Sequence, residues 1–468
     1  MGILVVCKGC IQISDGAPMP PRIIAILSRV RKDVAAAIAA ESIGAACKDV
    51  GYRWRERKLG PVETIHSFLL QVLRKNTACQ HVVQLGEWRF TDTAYCAARK
   101  RLPLILFYKL VEQTAGVLRG ASETWRWLGL RVWTIDGSSC SLPDSPELQA
   151  HFGQPSGQRQ GCGFPVAKLL TLFQVRMGLL LRMTVARLRS HDMSGAAAIS
   201  DDLKAGDLVL GDRGFCSYAH LAMLLGRGVD GVFRRHQKPN VDFTPGRPKA
   251  RRKGPYPRPQ GLPSSRWVLA HGPLDQVVEW SKSKRCPAGM SQEEYAKLPE
   301  TILVRELRYK LWNPGYRVRE VTLATTLLDA EAYPATELAD LDSKRWRVAL
   351  NFRHIKITMN MDVLKCTTVE GVLKELAIYA IVYNLVRSVM LESARAPRVD
   401  PDRISLVDSL RWLTGEEGEG DAPNLVVNPS RPGRFEPRVK KRRPKQYLRM
   451  TKPRREYHKE LLDKGLVA

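Results

Sequence analysis

Long uncharged hydrophobic runs are missing from this 468-residue chain. Its most apolar stretch, residues 169–188, is interrupted by Gln174, Arg176, Arg182 and Arg187. That many polar and charged groups exclude a bilayer span. The opening MGILVVCKGC lacks the charged start, long apolar region and small-residue cleavage site of a secretory signal. Cysteine patterning is absent too. Ten cysteines are scattered along the chain, and only Cys7 and Cys10 have the spacing of metal ligands. One such pair with no second pair nearby is a weak zinc signal, so reduced thiols and a cytoplasmic location are expected. Acid is scarce: Asp and Glu number 47 against 74 Lys and Arg, for a net charge of +27 and a pI near 9.9. A protein this basic commonly has a polyanionic partner, nucleic acid above all; the plainer alternative is a merely basic soluble protein. With 44% hydrophobic and 26% charged residues, the composition is that of a globular chain, and its length suits two or three domains.

Two short stretches carry the candidate chemistry. Residues 207–215 read DLVLGDRGF, an apolar strand that ends at Gly211 and places Asp212 on its C-terminal lip. Here the glycine is expected to let the backbone bend. Residues 132–140 read VWTIDGSSC, a second apolar strand carrying Asp136 ahead of Gly137. The two aspartates are expected to meet in space and hold divalent metal for phosphodiester chemistry. Taken singly, an Asp-Gly reads as a turn and an acid after a strand as a cap. Their place in the order of elements argues for more.

That order begins with helices. The spacing of Ile24, Ile26, Leu27, Val30, Val34 and Ile38 predicts a helix across 22–50, after a terminus of about 20 residues expected to be poorly ordered. Pro61 opens another helix, and Thr91 caps a third that stops before Pro103. The third carries Arg99, Lys100 and Arg101, which suit either a helix-turn-helix reading DNA or a solvated face. From residue 132 the pattern becomes β-β-β-α-β-α-β, the element order of the ribonuclease-H-like fold. The proline-, glycine- and arginine-rich stretch 238–267 then leads into strands near 267–269, 277–280, 302–311 and 316–327, read as a β-rich insertion with Trp312 at a tip. A closing helix over 336–359 sets Arg345, Arg353 and Lys356 on the face of position 349 and turns Trp346 inward. An apolar helix over 369–390 follows. The basic stretch 431–455, with Lys440, Lys441 and Arg442, reads as a tail placed for phosphate contacts.

On these residues the chain resembles the DDE transposases of bacterial insertion sequences, in the subgroup with a Tyr-x2-Arg-x3-Glu-x6-Lys signature. The resemblance runs from GYRWRERKLGPVETIHSFLLQVL to KKRRPKQYLRMTKPRR and is sharpest at TIDGSS, GDRGF and SKRWRVALNFRHIKITMNMDVL. It implies an α/β fold: a ribonuclease-H-like core with a β-rich insertion, preceded by an all-α DNA-binding domain. The expected parts are 1–128 (helical, DNA-binding), 129–236 (first part of the core), 237–330 (insertion), 331–395 (closing helices) and 396–468 (C-terminal helix and basic tail). It further implies Mg2+ (or Mn2+), double-stranded DNA with terminal inverted repeats, a homodimer in a synaptic complex, and a nucleoid-associated place in a bacterial cytoplasm. Asp136 and Asp212 match the first two metal-binding acids, Arg345 the signature arginine and Lys356 the lysine. Two signature positions depart: Asp342 stands for the tyrosine and Ala349 for the glutamate, the third catalytic acid.

The departure touches the chemistry directly. Mg2+ accepts few protein oxygens, and alanine offers none. Asp342, seven residues earlier, would lie about 10.5 Å up the axis of a continuous helix, too far to replace the glutamate. Impaired catalysis is therefore expected. A catalytically dead DNA-binding regulator and a ribonuclease-H-like nuclease remain the alternatives.

Overall fold

The computed structural model describes residues 21–466 except 56, 87–89, 122–124, 158, 191, 237–240, 250–262, 312–318, 346, 396, 416–424 and 426–450. Cys7, Cys10, Trp312, Trp346, Lys440, Lys441 and Arg442 lie outside the described residues.

Seven helices come first: α1 (Pro21–Ser28), α2 (Lys32–Ala36), α3 (Ala40–Asp49), α4 (Pro61–Leu73), α5 (Cys79–Leu85), α6 (Asp92–Arg101) and α7 (Leu104–Ala121). The one helix expected over 22–50 is three, broken at extended Arg31 and Ala39. Packing explains the breaks. Val34 and Ile43 are both fully buried, yet at about 100° per residue a continuous helix would point them in opposite directions. Thr91 caps α6, its hydroxyl accepting from the Ala94 amide at 3.1 Å, and the helix ends ahead of Pro103.

Next come β1 (Arg131–Ser141), α8 (Pro146–Phe152), β2 (Val166–Gln174), β3 (Leu180–Arg187), α9 (Asp192–Ser200), β4 (Asp207–Gly211), α10 (Tyr218–Leu225) and β5 (Asp230–Arg234). Four more strands follow, β6 (Arg266–Gly272), β7 (Asp275–Ser281), β8 (Thr301–Leu311) and β9 (Arg319–Thr325), with α11 (Gln292–Lys297) between β7 and β8. All nine form one sheet in the order β3-β2-β1-β4-β5-β9-β8-β7-β6. Only the β1–β4 and β4–β5 pairs are parallel. The strands of the expected insertion extend this sheet, because β9 pairs antiparallel with β5 through Val232↔Thr325, Phe233↔Ala324 and Arg234↔Leu323.

The chain closes with α12 (Ala335–Lys344), α13 (Arg347–Arg353), a π-helical turn (His354–Thr358), α14 (Val369–Arg395), a 3-10 turn (Pro401–Arg403), α15 (Leu406–Thr414) and α16 (Arg454–Asp463). The closing helix expected over 336–359 is thus split near 345 and loosened into a wider turn at its end. The apolar helix expected over 369–390 is α14, longer by one turn.

Strand alternation sorts the core into layers. Trp133 and Ile135 of β1 join Val209 and Phe233 on the face covered by α9 and α10. Val132, Leu208, Leu210 and Val232 face the other way, onto Leu338 and Leu341 of α12. A third cluster runs from the N-terminal helices through α13 and α14 to Cys140 of β1 and Phe173 of β2. α14 is buried almost all round, as a helix apolar on every side must be. One close approach there dictates a glycine. Gly178 has φ +63°, and a Cβ on it would stand 2.3 Å from the Arg387 guanidinium, itself fully buried in α14.

Asp207, fully buried at the start of β4, ties the sheet's centre together. It accepts from Arg131 of β1 at 2.6 Å, from Arg119 of α7 at 2.7 Å and from the Lys204 amide at 2.7 Å. Removing one partner of such a group leaves the others buried without their counter-charge. Asp207→Ala is expected to cost about 3–5 kcal/mol of stability, measured by urea unfolding. A loss under about 1 kcal/mol would show that the arginines are solvated instead.

Candidate active site

The two candidate acids sit on neighbouring parallel strands. The β1–β4 register pairs Arg131 with Asp207, Val132 with Leu208 and Thr134 with Leu210. Continuing it by two residues sets Asp212, just past the end of β4, level with Asp136 of β1. Neighbouring strands lie about 4.8 Å apart. Position parity puts both side chains on the face that carries Val132, Leu208 and Leu210, where the closing helices pack.

Each carboxylate is fixed by a nearby amide. Gly137 N–H donates to Asp136 Oδ1 at 2.8 Å, and Gly214 N–H donates to Asp212 Oδ1 at 2.8 Å. A Cβ on Gly214 would come 3.1 Å from that same oxygen, so glycine leaves the acid its room. Gly211 has a different role from the bend expected of it. A Cβ there would stand 2.6 Å from the Phe233 ring and 3.0 Å from Ile135, so close packing between strands requires the glycine.

The electrostatics bind the pair to the closing helices. Burial pushes the Asp136 carboxyl above its ordinary range, and the negative charge of Asp212 pushes it further; the Gly137 amide and the Arg345 guanidinium pull the other way. Arg345, in the break between α12 and α13, also lies 3.7 Å from Asp342. Asp342 points elsewhere. It is 3% exposed, pairs with Arg234 of β5 at 2.6 Å and accepts from the Tyr309 hydroxyl of β8. Its charge is committed to joining α12 to β5 and β8. Ala349 of α13 is exposed.

The remaining cations divide. Arg353 is exposed on α13. Lys356 lies in the π-helical turn, and its ammonium donates to Ser139 O at 2.9 Å and lies 3.5 Å from Asp362, so it straps the turn onto β1. Such turns recur at functional sites, where they re-aim side chains. Arg99 does not face outward as a DNA contact would. It is 9% exposed, lies 3.8 Å over the Phe68 ring, donates to Gln71 at 3.1 Å and to the Cys366 thiol at 2.7 Å. Lys100 and Arg101 remain exposed on α6.

Among the described residues no group of three His, Cys, Asp or Glu side chains is arranged to hold a metal ion. Two acids do converge. Each keeps a second oxygen with no hydrogen-bond donor among the described residues, and the Asp136–Asp212 repulsion is what a cation between them would relieve. The donor set therefore fits a divalent ion completed by water, with one carboxylate fewer than two ions would use.

The sequence profile described as "Transposase DDE domain" matches residues 127–385, more than half of the chain. The chain belongs to the DDE transposase family. It is 25% identical over 379 residues to the transposase InsG for insertion sequence element IS4 of Escherichia coli K12, covering 76% of this chain and 77% of that protein. It is 28% identical over 143 residues to the putative transposase InsZ of the same organism, covering 30% of this chain and 47% of InsZ. A piggyBac transposase, solved by cryo-electron microscopy in a synaptic complex with hairpin DNA, superposes with a TM-score of 0.41 at 9% identity, covering 83% of this chain and 76% of that one. No helix among the described residues is long and apolar enough to cross a membrane.

The raised pKa of Asp136 has a stability consequence. Between the ordinary carboxyl value and the raised one, the native state binds more protons than the unfolded chain, so stability falls as pH rises through that window. In this transposase Asp136→Asn is expected to raise Tm at pH 7 by a few degrees at most, and the gain should shrink as pH falls toward about 4. Scanning calorimetry checks it. A variant less stable than wild type at pH 7 would contradict the repulsion.

Proposed function

We propose that this chain acts on double-stranded DNA as an insertion-sequence transposase. It recognises terminal inverted repeats, works as a homodimer in a synaptic complex on the bacterial nucleoid, and is weakened in its DNA-cutting chemistry. The carrying observation is that Asp136 and Asp212 lie level on parallel strands, with Asp136 in the field of Arg345 from the closing helices. The strand order β3-β2-β1-β4-β5, with an antiparallel first half and a parallel second half, supports the ribonuclease-H-like reading of the core. Arg345 and Lys356 at the spacing of the signature support membership of the Tyr-Arg-Glu-Lys subgroup, with its tyrosine and glutamate replaced by Asp342 and Ala349.

Asp136 and Asp212 are the residues that would hold Mg2+ or Mn2+, which when bound supplies Lewis-acid activation of a phosphodiester and of the hydroxyl attacking it. The Gly137 and Gly214 amides hold one oxygen of each acid still and leave the other facing the site. Arg345 offsets the local negative charge and is available to a phosphate oxygen. Arg353, exposed one turn beyond Ala349, extends that cationic face. Lys356 contributes by position, holding the turn after α13 against β1. At Ala349 no carboxylate orients a leaving group or second ion, and Asp342 is committed to Arg234 and Tyr309.

A second reading, a catalytically dead DNA-binding regulator, is favoured by Ala349, which offers no metal ligand at the position of the signature glutamate. Strand cleavage of terminal-repeat DNA with Mg2+ or Mn2+ separates the two. Ala349→Glu is expected to cleave at least about 10–100-fold faster than wild type, and Asp212→Asn not at all. Equal rates for wild type and Ala349→Glu would disprove the impairment; no cleavage by either, with binding intact, would leave the regulator.

A further inference from the structure

A wide cleft among the described residues is separate from the paired acids. It has a volume of about 1430 Å3 and lies between α8 and α16, with the end of β3 as its floor. Its charge is one-sided. Arg187 and Arg189 project from the floor, and Arg455, His458 and Lys459 come from α16. Asp144 is its one lining acid among the described residues, and it is already engaged, 3.2 Å from Arg454 and accepting from Gln149 at 2.9 Å.

The helix is arranged to produce this. Arg455, His458, Lys459 and Leu462 line the cleft at the spacing of one helical face, while Glu456, Glu460 and Asp463 fall outside the lining. Glu460 is instead paired with Lys452 at 2.6 Å. α16 is anchored independently of these cations. Pro453 packs on Gly161, whose φ of +78° and 3.0 Å Cβ clearance leave room only for glycine. Arg454 lies 4.2 Å over the Phe164 ring. Arg189, Arg455 and Lys459 are exposed, with no carboxylate partner among the described residues.

Position links the cleft to the chemistry. Arg187 of β3 pairs with Ala167 of β2, which pairs with Cys140 of β1. The cleft therefore opens beyond the same end of the sheet toward which β1 carries Asp136. The basic sequence VKKRRPKQYLRMTKPRR runs directly into α16.

We propose that the α8–α16 cleft is a second DNA-binding site, which grips the phosphate backbone of DNA through Arg187, Arg189, Arg455 and Lys459, apart from the paired acids. This rests on the DNA-acting reading above. Cations on two facing sides of an open groove, the end of β3 and α16, suit a polyanionic backbone.

The test uses the full chain with the triple substitution Arg189→Ala, Arg455→Ala and Lys459→Ala, leaving the anchoring Arg454 in place. DNA affinity is titrated against salt, and the bound DNA is footprinted with hydroxyl radicals. The log–log salt slope of the variant is expected to be shallower by about 2.7, at about 0.9 per lost phosphate contact. One contiguous patch of backbone protection should disappear while the rest persists. An unchanged slope and footprint, with wild type still binding, overturns the cleft proposal alone. Absence of salt-dependent binding by wild type overturns the DNA-acting reading and the cleft with it. An unaltered melting temperature for the variant separates either result from misfolding.

Discussion

The register of β1 on β4 is the constraint on which the rest of the structure depends. A slip of one residue between these parallel strands would turn every side chain of one to the opposite face. It would turn Asp136 onto the face of Val209 and Phe233 or separate it from Asp212. Asp207 pins the register at its first rung, because its register partner Arg131 is also its ion-pair partner. The candidate acids stand the same number of residues beyond that rung on each strand, so a buried charge pair at one end of the strands sets the level of the acids at the other. The Asp136–Asp212 repulsion is tolerated because this framework is rigid. A folded protein commonly holds its reactive groups in an arrangement that costs some stability.

The closing helices show how a single element can be divided between support and chemistry. α12 ends in a network in which Asp342 joins β5 and β8. After the break, α13 presents Ala349 and Arg353 to solvent, and the π-helical turn swings Lys356 back onto β1. Arg345, in the break, belongs to both halves, near Asp342 on one side and in the field of Asp136 on the other.

Local patterns were legible where one short-range rule decides the outcome. The strand bearing Asp136, the β2–β3 hairpin, the cap at Thr91 and helix α10 follow from alternation, glycine placement and a hydroxyl at the right position. What the sequence hid depends on distant partners. Arg99 reads as surface because cations usually are, yet Phe68, Gln71 and Cys366, far away in sequence, give it a buried seat. α8 answers to no element expected from the sequence, and α16 follows a tail whose charge reads as unstructured; both are held by packing against each other's surroundings. The continuity of the sheet across β5 and β9 was equally invisible, because strand propensity does not say which edge a strand will join. Within the candidate site, the strands that carry Asp136 and Asp212 could be read, while the engagement of Asp342 could not, since Tyr309 and Arg234 come from other strands.

The exposure of Ala349 carries an evolutionary consequence. A methyl group at that position belongs to none of the three core clusters, so the packed core does not depend on it. The scaffold has no means of detecting the loss. On the proposed reading, a lineage can shed its third acid and go on producing a sound fold, with the proposed grip on nucleic acid and the proposed cutting of it free to drift apart.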